Sequence, residues 1–208
     1  MIIELINKSL SQETDESRNY IGASSIGRPC MRALYYDFHG VPKEKISPEL
    51  ALTFEHGKSV EDMILSMDLL AVSFLPQMVC KDLDVFQGTP DAVIHVNGLG
   101  YILEIKTANS SSFTQAQKNG VRRWRPQYYD QVQAYMGLSG IEQSIILVFN
   151  KDNSHLYEEL IKFDNLHYEL LVERARQISL ATEPPAKLNE SPMFYVCKMC
   201  EFRRHCHG

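Results

Sequence analysis

The stretch GTPDAVIHVNGLGYILEIKTA, residues 88–108, decides the fold. It contains two apolar segments typical of β-strands, and Asn97-Gly98 lies between them. Because Asn-Gly is the strongest short signal for a two-residue turn, the stretch predicts a β-hairpin. Side chains two positions apart in a strand face the same side, so Glu104 and Lys106 point together. Strand pairing then places the carboxylate of Asp91 next to that of Glu104.

Two carboxylates beside a lysine indicate a metal site, because burying them without partners is costly. Asp91, Glu104 and the main-chain carbonyl of Ile105 offer the oxygen ligands that Mg²⁺ and Mn²⁺ prefer. Two such ions would activate water and neutralise charge on the attacking and leaving oxygens of a phosphodiester. Lys106 would position that water or stabilise the charge that develops on phosphorus oxygens. The alternative is a surface hairpin with a chance Glu–Lys pair.

A predicted helix over residues 126–138 adds context, since Gln131 and Tyr135 lie four positions apart and share one face. The motifs G-x-x-D, E-x-K and Q-x-x-x-Y, in this order, resemble those of RecB-like nucleases of the PD-(D/E)XK class. The resemblance covers about residues 22–206. It implies an α/β, restriction-endonuclease-like fold with a mixed central β-sheet flanked by helices, and a metal-dependent enzyme that cuts DNA. The residues to which it assigns catalytic roles are Asp91, Glu104, Lys106, Gln131 and Tyr135.

The family's first motif lies on an early helix, here predicted over residues 47–70. Gly57-Lys58-Ser59-Val60-Glu61 supplies its glutamate form, so Glu61 is the expected third metal ligand. Gly57 lies one turn before Glu61 and leaves room for a metal or a DNA strand. His56 is the alternative ligand, because several relatives use histidine. Its helical phase is about 140° from that of Glu61, which favours a histidine at the edge of the core.

Four of the five cysteines form a separate pattern, with Cys30 near the start and Cys197-x-x-Cys200 and Cys206 near the end. This arrangement is similar to that of the CRISPR-associated iron–sulfur exonucleases (the Cas-four family), which the chain is therefore expected to resemble most among RecB-like nucleases. The resemblance implies that the four cysteines bind a [4Fe–4S] cluster. Zinc is the alternative, because four thiolates suit either. Cys80, within an apolar strand pattern, is expected to be a buried core thiol.

One nuclease domain is expected over residues 1–208, with a C-terminal segment that binds the cluster. Residues 22–46 form an N-terminal helical part that carries Cys30, residues 47–180 the nuclease core, and residues 190–208 the tail. A polar lead-in of about 20 residues is expected at the start. The other predicted elements are a helix from Ser24 or Ser25 to Phe38, a strand over 75–86, a loop over 109–125, strands over 141–150 and 155–163, and a helix over 165–180.

Arg122-Arg123-Trp124-Arg125 lies between the catalytic hairpin and the helix that carries Gln131. Guanidinium groups neutralise phosphates, and an indole stacks on an unpaired base, so this segment is a candidate DNA contact. The alternative is a solvated loop with one buried tryptophan. A second basic patch is expected around the cluster, formed by Arg28, Arg32, Lys198, Arg203 and Arg204.

The net charge of −5 argues weakly against a nucleic-acid partner. However, carboxylates that hold metal ions count as negative although the bound ions reverse the local field. No apolar run reaches the roughly 20 residues of a membrane helix. The N-terminus is too polar and acidic for a targeting peptide, so a cytoplasmic location is expected.

Together these features predict a DNA exonuclease, with some endonuclease activity, that acts on single-stranded or frayed DNA. Its expected cofactors are Mg²⁺ or Mn²⁺ and a [4Fe–4S] cluster. Its expected partners are DNA, further copies of itself, and CRISPR or recombination proteins. The alternative is a non-catalytic or zinc-bound DNA-binding subunit of a repair, recombination or CRISPR-adaptation complex.

Overall fold

The computed structural model describes residues 1–10, 19–67 and 71–208. Runs of strands are separated by runs of helices along these residues. In chain order the elements are α1 (Ile2–Leu10), β1 (Ile21–Gly22), α2 (Met31–Phe38), α3 (Pro48–Leu65), β2 (Val72–Ser73), β3 (Met78–Cys80), β4 (Leu83–Gly88), β5 (Ala92–Val96), β6 (Leu99–Ala108), α4 (Ser110–Asn119), α5 (Val121–Trp124), α6 (Pro126–Ser139), β7 (Gln143–Asn150), β8 (Leu156–Lys162), α7 (Asn165–Leu180), α8 (Tyr195–Lys198) and α9 (Arg203–His207).

The central sheet has the strand order β2-β5-β6-β7-β8, and a smaller sheet has the order β1-β4-β3. Strands β6 and β7 are parallel, whereas the other neighbours in the central sheet are antiparallel. One face packs on α2, α6 and α7 around a large apolar core. The other face packs on α3, through Val60 and Ile64, over β5 and β6. The predicted mixed sheet flanked by helices is therefore confirmed.

The β5–β6 hairpin forms as the sequence predicts. Asn97 and Gly98 both have positive φ, 52° and 79°, which suits a tight turn between twisted strands. The register pairs Ala92 with Leu103. Asp91 comes just before Ala92 and Glu104 just after Leu103, so the antiparallel pairing places these two residues opposite each other. β6 is central in the sheet, and most of its apolar side chains are buried.

The loop predicted over residues 109–125 is wrong, because this segment forms α4 and α5. Asn109 caps α4, since its side chain accepts a hydrogen bond from the Ser112 amide at 2.9 Å. Phe113 and Ala116 are buried in the core, and such spacing anchors one face of a helix. Gly120, with φ 72°, makes the turn into α5.

Three other boundaries differ from the prediction. The first core helix begins at Met31 instead of Ser24 or Ser25, because the chain from Gly22 to Arg28 forms hydrogen-bonded turns. The strand predicted over residues 75–86 is two strands, β3 and β4, joined by a turn. The expected polar lead-in contains the amphipathic helix α1. Its remainder, residues 11–18, lies outside the described residues.

Helix α3 begins where the sequence predicts, with the Ser47 hydroxyl accepting from the Leu50 amide at 3.3 Å. It ends at Leu65, and residues 68–70 of the longer predicted helix are outside the described part. The predictions for α6, β7, β8 and α7 are confirmed to within a few residues. Among the described residues, no helix combines the length and apolar character that crossing a membrane requires.

Candidate active site

Glu104 lies at the centre of the candidate site, on β6, with only 1% of its surface exposed. Its Oε1 accepts hydrogen bonds from Lys106 Nζ at 2.5 Å and from Gln131 Nε2 at 2.7 Å. Its Oε2 is buried and finds no hydrogen-bond partner among the described residues. Burial raises the pKa of Glu104 to about 7, although Lys106 opposes the shift. An unpartnered buried carboxylate oxygen is costly and needs an explanation.

Asp91 lies beside Glu104 because its Oδ2 accepts a hydrogen bond from the Ile105 amide at 2.7 Å. Burial raises the pKa of Asp91, and the hydrogen bond and Lys106 only partly offset this effect. Burial alone would lower the pKa of Lys106, but Glu104 and Asp91 hold it above its ordinary value. The structure therefore brings together a buried acid, a half-buried acid and one charged lysine, as the sequence predicts.

Gln131 and Tyr135 reach the same place from α6. The Gln131 amide lies 2.7 Å from Glu104 Oε1 and 2.9 Å from the Tyr135 hydroxyl. The Tyr135 ring packs on Gly88, the first residue of the G-x-x-D motif. A Cβ added to Gly88 would lie 2.8 Å from Tyr135 Cε1 and 2.6 Å from Ala23 Cβ. Gly88 thus lets α6 approach β4 closely enough to present Gln131 to Glu104.

Gly88→Ala is expected to lower the free energy of unfolding by about 1–3 kcal/mol, because the new methyl group overpacks a full core. Thermal or urea unfolding measures this change. Gly100→Ala is the matched control in a neighbouring strand, since its Cβ would make only ordinary contacts, the nearest 3.6 Å from Val93. Equal stability of the two variants would contradict this role for Gly88.

Glu61 approaches the acids from α3. Burial and the charge of Asp91 raise its pKa, whereas Lys106 lowers it, so its carboxylate interacts with both groups. His56 is exposed, and the prediction of a core-edge position is wrong. The reason is that α3 buries only a few side chains on the sheet, Ala51, Val60 and Ile64, and leaves the rest of its surface open.

Tyr128 belongs to this site although the motifs do not include it. Lys106 Nζ lies 4.8 Å from the centroid of its ring, a cation–π contact. The Trp124 ring meets Tyr128 edge-on, with 5.6 Å between centroids. Tyr128 precedes Gln131 by three residues, so helical spacing places both on one face of α6. That spacing, together with the E-x-K motif, is the signal that could have identified it.

Whether this site suits a divalent metal ion is judged from the chemistry of its oxygen donors. Within the described parts of the chain, no three or more His, Cys, Asp or Glu side chains are arranged so that they could hold a metal ion. Nevertheless, the buried Glu104 and the half-buried Asp91 form an acid pair whose charges repel each other, and Glu104 Oε2 has no described partner. Oxygen donors of this kind suit Mg²⁺ or Mn²⁺, and a cation would relieve the repulsion. The Ile105 carbonyl stays a predicted ligand.

The basic segment is helix α5 and its cap. Arg122, Arg123 and Arg125 are exposed, whereas Trp124 is half-buried and donates from Nε1 to Ser112 Oγ at 3.0 Å. The guanidinium of Arg122 lies 4.7 Å from the ring centroid of Tyr129. The structure therefore leaves three cations at the surface next to Tyr128, where they can meet phosphates.

The four predicted cluster ligands, Cys30, Cys197, Cys200 and Cys206, line one cavity between α2 and the tail. Burial raises the pKa of both Cys197 and Cys200, and the nearby Cys30 thiol raises each further. The thiols thus converge, but among the described side chains they do not form a group arranged to hold a metal. Cys80 is buried in the core, and that prediction is confirmed.

Hydrogen bonds and ion pairs join the tail to the N-terminal part around this cavity. Arg28 pairs with Glu201 at 2.6 Å, and the Arg204 guanidinium pairs with Glu44, with 3.5 Å between Nε and Oε2. Arg32 donates to the Pro185 carbonyl at 2.6 Å. Three cations of the predicted second basic patch therefore bind acceptors of the protein itself, which leaves less positive charge for DNA there.

This fold is shared with solved exonuclease structures. LHK-Exo in complex with dAMP is 16% identical, with a TM-score of 0.58 over 79% of this chain and 88% of that chain. A second structure of LHK-Exo, an alkaline exonuclease from Laribacter hongkongensis, is 14% identical to this chain, with a TM-score of 0.57 over 85% of this chain and 90% of that chain. A phage-related exonuclease from Haemophilus somnus 129PT is 17% identical, with a TM-score of 0.54 over 76% of this chain and 91% of that one. SSO0001 is 20% identical, with a TM-score of 0.58 over 99% of this chain and 96% of that one.

At these identities the likeness establishes the fold, a mixed α/β fold of the restriction-endonuclease-like kind. The sequence itself matches the profile of a YqaJ-like viral recombinase domain over residues 43–142. That range contains Glu61, Asp91, Glu104, Lys106 and Gln131, and it contains none of the four cavity cysteines. None of the curated proteins matches the chain.

Proposed function

We propose that the chain is a divalent-metal-dependent exonuclease that hydrolyses phosphodiester bonds at DNA ends, with some endonuclease activity. The observation that carries this proposal is the meeting of Asp91, Glu104 and Lys106 at one buried point, with Glu104 Oε2 left without a described partner. A structural ion pair would satisfy both oxygens of the carboxylate. A site that receives a cation leaves one oxygen available.

Each side chain has a distinct task in this mechanism. Asp91, Glu104 and the Ile105 carbonyl would hold Mg²⁺ or Mn²⁺, with Glu61 nearby, and the metal would supply an activated water and charge neutralisation at phosphate. Lys106, kept charged by the acids, donates hydrogen bonds to a phosphate oxygen or to the attacking water. Gln131 holds Glu104 in its orientation through Oε1, and Tyr135 in turn holds Gln131.

The proposed substrate is single-stranded or frayed DNA. Support comes from the exposed Arg122, Arg123 and Arg125 beside the acid site, which suit a phosphate backbone. The names of the similar structures, three of them exonucleases and one of these three bound to dAMP, agree with a deoxynucleotide substrate. Self-association and roles in recombination or CRISPR adaptation stay predictions, as does the cytoplasmic location.

A cleavage assay tests this function. DNA labelled at one end, single-stranded or duplex, is incubated with Mg²⁺, with Mn²⁺ or with a chelator. We expect degradation from the ends that requires metal and is faster for the single strand. A protein that binds this DNA but leaves it intact in every metal would instead be the non-catalytic subunit.

We further propose that Cys30, Cys197, Cys200 and Cys206 bind a [4Fe–4S] cluster, with zinc as the alternative. Support comes from their convergence on one cavity, from the four-thiol donor set, and from the raised pKa of the Cys197 and Cys200 thiols, which a bound cation would reverse. The cluster would join α2 to the tail, so its role is structural.

Cys30→Ala is expected to abolish iron and sulfide binding and to lower the midpoint of thermal unfolding, because one of four ligands is lost. Anaerobic purification, visible absorption and iron, sulfide and zinc analysis measure the result. Cys80→Ala is the control, since Cys80 lies in the core away from the cavity, and it should keep the wild-type metal content. A Cys30 variant that retains full metal would remove this residue from the ligand set.

A further inference from the structure

An exposed apolar face of α3 lies on the same side of the helix as Glu61 and extends from the acid site towards the N-terminus of α3. Phe54 precedes Glu61 by seven residues, just under two helical turns, so the two side chains differ in direction by about 20° and lie about 10 Å apart along the axis. Leu50 continues this face one turn earlier. Phe54 is 58% exposed and Leu50 is 37% exposed. An aromatic ring held open to solvent beside a candidate active site is suited to contact a substrate.

Gly57 lies between Phe54 and Glu61 on the same face. Glycine inside a helix is destabilising relative to alanine, so its presence needs a reason. Packing against the described residues does not supply one, because the nearest of their atoms that a Cβ would meet is Thr107 Oγ1 at 3.8 Å, an ordinary contact. The missing side chain instead leaves an open notch between the phenyl ring and the carboxylate.

Lys58 provides a cation next to this notch. It is exposed, and its charge lowers the pKa of Glu61, so its ammonium group lies near that carboxylate. The Phe54 ring, the open backbone at Gly57 and the Lys58 ammonium group lie along α3 next to the acid site. These three groups suit the base, the sugar–phosphate backbone and the phosphate of one nucleic-acid strand. The base stacks on the ring and the phosphate meets the lysine. A duplex does not fit this arrangement, because its bases are already stacked on each other.

We propose that Phe54 stacks on an unpaired base and that the strand's backbone passes over Gly57, which makes single-stranded ends the substrate. This inference rests on the proposed nuclease function. A separation of about 10 Å, at about 3.4 Å per nucleotide, places the stacked base about three nucleotides from the phosphate that is cut.

Binding without cleavage tests this contact. A fluorescent single strand of about 12 nucleotides and its duplex are titrated with protein in chelator, and anisotropy gives both affinities. Phe54→Leu is expected to weaken single-strand binding roughly tenfold or more and to leave duplex binding unchanged, whereas Phe54→Trp keeps the wild-type affinity. Leu52→Ala is the control, since Leu52 is 48% exposed on the opposite face of α3. Unchanged binding by Phe54→Leu, or an equal loss in the control, would overturn the proposal.

Gly57→Ala distinguishes a role of the notch in DNA binding from a role of Gly57 in the stability of the fold. We expect its thermal midpoint to equal or exceed that of the wild type by up to about 2–4 °C, while single-strand affinity falls. Wild-type affinity in this variant would show that no strand crosses the notch. Because these readouts need no cleavage, they hold even if every metal leaves the DNA intact, so failure of the nuclease proposal remains a separate result.

Discussion

Asp91→Asn is expected to slow DNA cleavage by on the order of a thousandfold or more. The substitution keeps the shape of the side chain and an oxygen that can accept from the Ile105 amide, as Asp91 Oδ2 does at 2.7 Å. It removes the negative charge that would hold the metal, and the metal contributes several kcal/mol to the transition state. Because the hydrogen bond is kept and a buried charge is lost, the fold should be as stable as the wild type or more so.

Single-turnover cleavage of an end-labelled strand at saturating Mn²⁺ measures this effect, with circular dichroism as the check on folding. Asp152→Asn is a matched control, because Asp152 accepts from the Ser110 amide in the same way but at an exposed site. Its cleavage rate should be that of the wild type. A wild-type rate in Asp91→Asn would remove Asp91 from the metal site.

The second large effect concerns pH. In the metal-free protein, the free energy of unfolding is expected to fall by about 3 kcal/mol between about pH 5 and pH 8. Burial raises the pKa of Glu104 from 4.5 to about 7, so the folded chain holds a proton that the unfolded chain releases at lower pH. This contribution is complete below the unfolded pKa and disappears as the pH rises through about 7. Asp91, whose pKa burial also raises, acts in the same direction.

Urea unfolding at a series of pH values, with chelator or with Mn²⁺, measures this dependence. Mn²⁺ should restore stability above pH 7, because it binds the ionised carboxylates. Glu104→Gln cannot titrate and should lose much less stability over the same range. If the variant and the wild type show the same pH dependence, Glu104 is not the group responsible.

The sequence is informative where two independent patterns agree. Asn97-Gly98 and the strand alternation both predict the β5–β6 hairpin, and the spacing of Gln131 and Tyr135 predicts their common face. The convergence of Asp91, Glu104 and Lys106 follows from these local rules, because one hairpin and one strand face suffice to bring them together. Long-range packing is therefore not needed to place these three side chains together.

Prediction from the sequence fails where packing between distant segments determines the secondary structure or the exposure of a residue. The serine-rich start of α4 looks like a loop, and only the burial of Phe113 and Ala116 against the sheet makes it a helix. His56 has an ordinary helical phase, but its exposure depends on how little of the sheet α3 covers. The unpartnered Glu104 Oε2 depends on distances between three elements, which no spacing along the chain encodes.

The buried tail has a consequence for how the protein is made. Phe202 is fully buried and its ring packs on Tyr36, so residues far apart in the sequence share one core. A ribosome synthesises the chain from its N-terminus, and Tyr36 therefore lacks this contact until residue 202 has been made. A nascent chain that stalls before residue 202 exposes this aromatic pocket, together with the single thiol of Cys30, to chaperones and proteases. Quality control can in this way distinguish a chain that contains the segment around Phe202 from one that lacks it.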